Sequence, residues 1–556
     1  MTHRRRYRRD ESCPSSSPTA RRPRALVGMK ISRRDFLKMG MKGAAVLFLP
    51  FGASGCGGLT AGNNSTQGSA GTLLKSAAKL PEPFRVPLPI PPVLEPIRTD
   101  ATTDYYRITQ KISQAEILPD LRTEIWGYDG IFPGPTIVSR SGRRTVVRHR
   151  NELPVPTAVH LHGGVTPPEH DGYPSDVVIP SGGWHDDHRG HLQLNVIGEG
   201  SFDYEYPLEQ PAAALWYHDH RMDFTGPQVH KGLAGFHLIH DDVEQALELP
   251  GRERDVPLMI CDRSFARDGS FRYPSLDPSL EGRPGVRAEY MSGVLGDCIL
   301  VNGAPWPVLE VTNTRYRFRL LNASNARRYQ LALDSPPRYG ASFVQVGSDH
   351  GLLPEPIAHN QIDLAQAERF DVIVDFSKYS VGDEITMVNN FGAGSTAQVM
   401  RSIVARGGKD DSHIPSKLAD FQPLSRSDAT VEREFRFVRG GAQMNGMTLW
   451  TVNGEPFDPN RIDADPELSS VELWKIRALN VEHPFHIHLA PFQVLTSGGG
   501  GDPGPYNTGW KDTVNLDNGG DAEILIKFDS YKGKYVFHCH NLEHEDMMMM
   551  ANFEVV

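Results

Sequence analysis

The chain has 556 residues, 53 of them Gly and 43 Pro, with 9% aromatic content; it is long enough for about three domains and has the loop-rich composition of a β protein. The formal charge of −10 hides an asymmetry, because residues 1–42 hold 13 Lys/Arg against 3 Asp/Glu and leave a body of 45 basic and 65 acidic residues, net −20. An acidic body argues against nucleic acid as a partner and suits small aromatic or cationic reductants.

The chain opens on an export signal. "ISRRDFLKMG" places Arg33 and Arg34 before Phe36-Leu37-Lys38, and the short apolar run "GAAVLFLPFGASG" follows. This is the pattern of a twin-arginine signal, too short for a permanent membrane anchor, so a periplasmic or otherwise extracytoplasmic location is expected. Met29 is an alternative start. Cys56, after Ala53-Ser54-Gly55, is a candidate for lipid attachment, although Ala53 stands where Leu is usual. Membrane contact is expected only if Cys56 is lipidated.

Residues 57–100 are Gly/Ser/Thr-rich and then Pro-rich, a linker with an extended lead-in. Beyond them, short alternating runs such as "RTVVRH", "RYRFRLL", "FDVIVDF", "EILIKF" and "KYVFHC" are separated by turn residues, which predicts an all-β chain of sandwich-like units. "DDVEQALEL" (241–249) is a short helical exception at a boundary, and the polar, aperiodic 407–430 marks a second one. The divisions predicted are a signal segment 1–56, a linker 57–84, domains at 85–243 and 244–408, a linker 409–430 and a domain at 431–556. A monomer is expected.

Four His-x-His pairs punctuate this plan. His160 and His162 ("VHLHGG") are followed by His218 and His220 ("LWYHDH"); His486 and His488 ("HPFHIH") are followed by His538 and His540 ("YVFHCH"). Similar spacing within the first and last thirds reads as an internal duplication. On a strand, residues i and i+2 share a face and i+1 takes the other. "HCH" therefore sends His538 and His540 to one side and Cys539 to the opposite side, joining a thiolate metal site to an imidazole site through the backbone.

A lone Cys with imidazoles and a distant thioether is the donor set of a blue-copper site, whereas structural zinc prefers closed tetrahedral sets with paired cysteines. His544 lies five residues beyond Cys539, Met549 ten, and His483 is available from an earlier strand. Alternation through Met547–Met550 predicts that Met547 and Met549 share a side. Cys261 and Cys298 are compatible with a disulfide in an oxidising compartment and equally with two buried thiols. His185, His188 and His191 read as a solvated loop cluster. Met444 and Met447 fall short of a Met-rich insert.

"HLHGG", "WYHDH", "HPFHIH" and "HCHNLEHEDMMM" resemble the four copper-binding motifs of multicopper oxidases, among them spore-coat laccases, bilirubin oxidases and copper-efflux oxidases. The resemblance extends over about residues 85–556, including "GWKDTVNL" (509–516). It implies three cupredoxin-like Greek-key β-sandwich domains and four coppers. His483, Cys539, His544 and axial Met549 would form the type 1 site, and His160 and His486 the type 2 site. His162, His218, His220, His488, His538 and His540 would hold the type 3 pair, with Asp171 and Glu545 as proton-relay acids. The implied activity is oxidation of phenolic, aromatic amine or tetrapyrrole donors with four-electron reduction of O2 to water. The rival readings are an oxidase of Cu(I), Mn(II) or Fe(II) and a non-catalytic copper-binding protein. Glu482, directly before His483, is a candidate for orienting a donor.

Overall fold

The computed structural model describes residues 69–184, 194–274, 287–444, 446–499 and 501–556. The twin-arginine segment, Cys56 and the His185, His188 and His191 cluster lie outside them.

The alternating runs form strands, and the strands assemble as pairs of sheets, one pair for each third of the described chain. In the first third, a four-stranded sheet runs Ile137–Arg140, Ala234–His240, Ala213–Asp219, Val159–His162, beside a five-stranded sheet built on Thr103–Ala115 and Arg144–Asn151. Inward residues of both, including Ile108, Val147, Leu161, Leu215 and Tyr217, merge into one apolar cluster. In the middle third, a seven-stranded and a five-stranded sheet share a second cluster around Leu258, Phe318, Leu331 and Phe370. The last third pairs a five-stranded sheet, with Val431–Met444 and Ser470–Ala478, against a four-stranded one ordered Thr513–Leu516, His483–Ile487, Gly533–Cys539, Met550–Val555. All the sheets with five or more strands mix parallel and antiparallel pairs.

Several segments depart from their local signals. Residues 72–74, inside the stretch read as linker, pair in parallel with Val294–Gly296. In "RYRFRLL" two of the three arginines are not at the surface: Arg317 and Arg319 are buried, with Arg317 Nη1 2.7 Å from Glu244 and Arg319 Nη2 2.7 Å from Asp255. The helix expected near 241–249 is the short Asp242–Gln245, capped by Asp241 accepting from the Glu244 N–H. An unforeseen helix, Thr225–Lys231, has no cap from its own N-cap residue; Asp546 accepts from the Thr225 and Gly226 amides at 2.9 Å. Cys261 and Cys298 are buried free thiols. Among the described residues no helix is long and apolar enough to cross a membrane.

The methionine run does not continue a strand. Met547 and Met548 lie in a turn, Met548 with φ +82°, and the closing strand begins only at Met550. Alternation therefore does not sort these four side chains; the turn does, since helix Leu542–Glu545 has to reverse before the last strand can pair with Gly533–Cys539.

The strand carrying Cys539 is anchored by Phe537, which is fully buried with ring centroids 4.6 Å from Phe435 and 5.1 Å from Trp474. Phe537→Ala is expected to cost about 3–5 kcal/mol through lost burial and a residual cavity, read as a lower denaturant midpoint with an unchanged slope.

Candidate metal centre

Strand parity places the cysteine. Gly533–Cys539 runs antiparallel to His483–Ile487 with Cys539 opposite Phe485 and His538 opposite His486. Cys539 Sγ lies 3.4 Å from His483 Nδ1 and 3.5 Å from His544 Nδ1, and the two nitrogens are 3.1 Å apart. All three residues are buried. Asn541 caps the Leu542–Glu545 turn through its side chain, and its backbone N–H points at Sγ from 3.5 Å. Met549 is brought alongside by its backbone: its carbonyl accepts from the Cys539 N–H and its N–H donates to the His544 carbonyl. Trp450 covers the pocket, its ring 4.0 Å from His544 and 5.4 Å from His483.

Burial pushes the Cys539 thiol well above its ordinary pKa and lowers His483 to about 4. The thiolate that a soft metal needs is thus costly here without a cation, and metal binding has to displace the proton. Three donor atoms at mutual distances of 3.1–3.5 Å suit one ion contacted by thiolate and two imidazoles.

On the opposite face of the same strand the eight paired histidines converge. His160 stacks on His488 and His162 on His486, each pair with centroids 3.7 Å apart, so first-third and last-third motifs meet directly. One ring nitrogen of most of them is engaged. His160 Nδ1 meets the Asp171 carbonyl at 2.7 Å, His218 Nδ1 the Asp219 carbonyl at 2.9 Å and His486 Nδ1 the Asp512 carbonyl at 2.9 Å. His488 Nδ1 meets Asp171 Oδ2 at 2.7 Å, and His162 Nε2 meets Asp512 Oδ1 at 3.1 Å. The other nitrogen of each of these five rings is buried with no hydrogen-bond partner, as are both nitrogens of His540. Orphaned, inward-pointing imidazole nitrogens fixed from behind are what a metal cluster requires. Four overlapping groups have donors within 4.8 Å of one another: His160/His162/His218, His160/His486/His488, His220/His488/His538 and His162/His486/Asp512. Burial lowers His220 and His538 to about 3 and His486 to about 4, so these rings are neutral at pH 7 with lone pairs available.

The two acids singled out from the sequence lie against this cluster. Asp171 holds His488 through its carboxylate and His160 through its carbonyl. Gly172, φ +77°, follows it where a Cβ would stand 2.2 Å from the Val159 carbonyl oxygen, so the turn needs glycine. Glu545 places its oxygens 3.3 Å from His220 Nδ1 and 3.2 Å from His538 Nδ1, and burial raises its pKa. Asp512 was not singled out, yet it contacts His162, His350 and Arg369 by side chain and His486 by backbone. Burial alone would raise the Asp512 pKa, but Arg369 and His162 hold it well below the usual carboxylate range. Its only local signal was its place in "GWKDTVNL". Glu482, by contrast, accepts a hydrogen bond from the Ala70 backbone N–H and is not an unengaged carboxylate.

The multicopper oxidase family matches residues 110–244 and again 428–556. The chain is 36% identical to the laccase of Bacillus subtilis (strain 168) over 527 residues, covering 85% of this chain and 98% of that one. It is 34% identical to the bilirubin oxidase of Albifimbria verrucaria over 523 residues, covering 88% and 84%. The crystal structure of a laccase from Pediococcus acidilactici superposes with a TM-score of 0.73 at 32% identity, covering 87% of this chain and 96% of that one. The chain belongs to the multicopper oxidase family. It is accordingly an oxidoreductase with multiple copper centres that passes electrons from a small reductant to O2.

Beside the cluster, burial raises Asp223 to about 7, with the Arg221 charge offsetting part of the effect. The folded state thus keeps this proton while the unfolded chain, titrating near 3.9, loses it. Between about pH 4 and 7 the group therefore erodes stability as pH rises. Asp223→Asn, which tolerates the φ of +68°, should flatten the decline in denaturant midpoint of metal-free protein between about pH 5 and 7.5.

Proposed function

We propose a four-copper oxidase of phenolic, aromatic amine or tetrapyrrole donors, with the overall balance of four phenols and one O2 giving four phenoxyl radicals and two waters. The observation that carries this reading is Cys539, whose Sγ faces His483 and His544 while its neighbours His538 and His540 face the histidine cluster. In this assignment His483, Cys539, His544 and Met549 hold the type 1 ion, His160 and His486 the type 2 ion. His162, His218, His220, His488, His538 and His540 hold the type 3 pair. Copper in these positions supplies one-electron acceptance at the cysteine and four-electron reduction of O2 at the cluster. The Cys539 peptide units join the two sites covalently. Asp171 and Glu545 sit on ring nitrogens at the cluster, Asp171 against His488 and Glu545 against His220 and His538, which supports a role for both acids in supplying the protons that O2 reduction would consume.

The three sheet pairs and their shared cores support three cupredoxin-like Greek-key domains at 85–243, 244–408 and 431–556. The twin-arginine motif supports export of a monomer to the periplasm or cell exterior, with lipid attachment at Cys56 as its one route to a membrane.

Cys539→Ser should abolish the blue absorbance and O2 uptake with a phenol while leaving about three coppers bound; a variant that stays blue refutes the assignment. Oxygen consumption by copper-loaded enzyme with phenols, bilirubin, Cu(I), Mn(II) and Fe(II) separates the organic-donor reading from the metal-oxidase one, and no uptake with any of them would indicate copper sequestration.

Asp171→Asn keeps size and removes the exchangeable acid. Anaerobic bleaching of the blue band by a phenol should stay near the wild-type rate, while reoxidation by O2 slows by about tenfold or more. Equal slowing of both half-reactions would make Asp171 purely structural.

A further inference from the structure

The inward row of strand Val431–Met444 runs Phe435, Phe437, Arg439. The two phenylalanines are buried in the core of the last sheet pair, and Phe437 lies 6.1 Å from the His483 ring. At the third position of the same face stands an exposed arginine. Its cross-strand partner in the register is Trp450, so the guanidinium lies over that indole, 5.7 Å from the ring centroid. Trp450 is 1% exposed, donates its Nε1–H to the Met291 carbonyl at 2.7 Å and lies tilted against His544 with ring centroids 4.0 Å apart. The pairing breaks register just beyond Arg439, at Gly440 and Gly441 with φ of +143° and +81°, a bulge that ends the regular ladder above the Cys539 pocket.

Among the described residues the charge of Arg439 has no ion-pair partner. On the same strand Arg433 pairs with Glu472 at 2.7 Å and Arg436 with Glu434 at 2.8 Å. Among the described residues no carboxylate lies within 4.0 Å of the Arg439 guanidinium, whose side-chain contacts are Trp450 and, at 3.7 Å, Met291 Sδ. Glu482, which precedes His483, is engaged by the Ala70 amide. A body of net negative charge thus presents an unpaired cation over the aromatic cover of its cysteine site.

We propose that Arg439 is the specificity-determining residue for the electron donor and selects aromatic reductants bearing a carboxylate or sulfonate. This deepens the organic-donor reading above and rests on it. The planar guanidinium pairs with the anionic group in two-pronged fashion, seating the donor ring at the rim of Trp450. The donor gives up one electron across Trp450 and His544 and releases its phenolic proton to solvent. Four such turnovers supply the electrons for one O2, and the four protons consumed at the cluster are drawn back from solvent.

The test uses copper-loaded full-length enzyme with syringate and its methyl ester, which share a phenol and differ in charge. In Arg439→Gln, kcat/KM for syringate should fall about tenfold, the size of one charge-assisted contact at an exposed site. The value for methyl syringate should change by less than about twofold. Arg439→Lys should recover part of the loss because the charge remains without the fork. Added salt should depress wild-type turnover of syringate more than that of the ester and lose this preference in Arg439→Gln. Blue absorbance and copper content, unchanged in both variants, exclude damage to the copper sites. Equal falls for both donors overturn the assignment. A wild-type enzyme that consumes O2 with neither phenol overturns the organic-donor class itself, and this assignment with it.

Discussion

Adjacent residues on a strand face opposite ways, and the chemistry of this molecule hangs on one use of that fact. His538 and Cys539 close the strand Gly533–Cys539 and His540 follows directly after it, so one short stretch supplies a donor to one pocket and two donors to another. The remaining ligands have to be carried to these two faces. The antiparallel neighbour His483–Ile487 does so twice, with His483 toward the cysteine and His486 toward the cluster. The first sheet pair completes the cluster by stacking His160 and His162 on His488 and His486. The distance between the two pockets is therefore set by backbone geometry, not by loop conformation.

Collecting so many polar groups in a dry interior is unfavourable unless each is satisfied, at roughly 1–3 kcal/mol per unpaired group. The fold meets this by engaging most rings from behind, through carbonyls of Asp171, Asp219 and Asp512 and the carboxylates of Asp171 and Asp512. The nitrogens left over point inward. The middle sheets, which contribute no paired histidines, supply charge: Arg369 fixes Asp512, while Lys511 lies 3.1 Å from both Asp349 and Glu368. A buried carboxylate able to orient His162 and His486 is thus kept ionised by an arginine from another sheet pair. Removing one partner of such a pair would strand the other charge.

Surface charge obeys a different logic. The acidic body sets the long-range field, but the donor meets the short-range one, where Arg439 sits over Trp450 with no carboxylate partner among the described residues. Local recognition can oppose the net charge because screening at physiological salt limits distant charges to a range of about 8 Å.

The sequence by itself determined the parity of the four His-x-His motifs and of Cys539, because facing along a strand depends only on whether positions differ by one or two. It also determined the β character, from alternation and turn residues, and the copper-like donor set, from residue type. Tertiary structure alone decided what pairs distant positions. Asp512 meets Arg369 across 143 residues, Asp546 caps the Thr225 helix from 321 residues away, and Glu482 is taken by Ala70 across 412. Apart from the place of Asp512 in "GWKDTVNL", nothing local to those residues distinguishes them from solvated charges. Parity does not apply to the methionine run because Met547 and Met548 are in a turn and the strand begins only at Met550. Arg439 lies at the junction of both kinds of information. Parity assigns it to the inward face beside Phe437, but only the packed Trp450 and His544 beneath it make that face the mouth of a redox site.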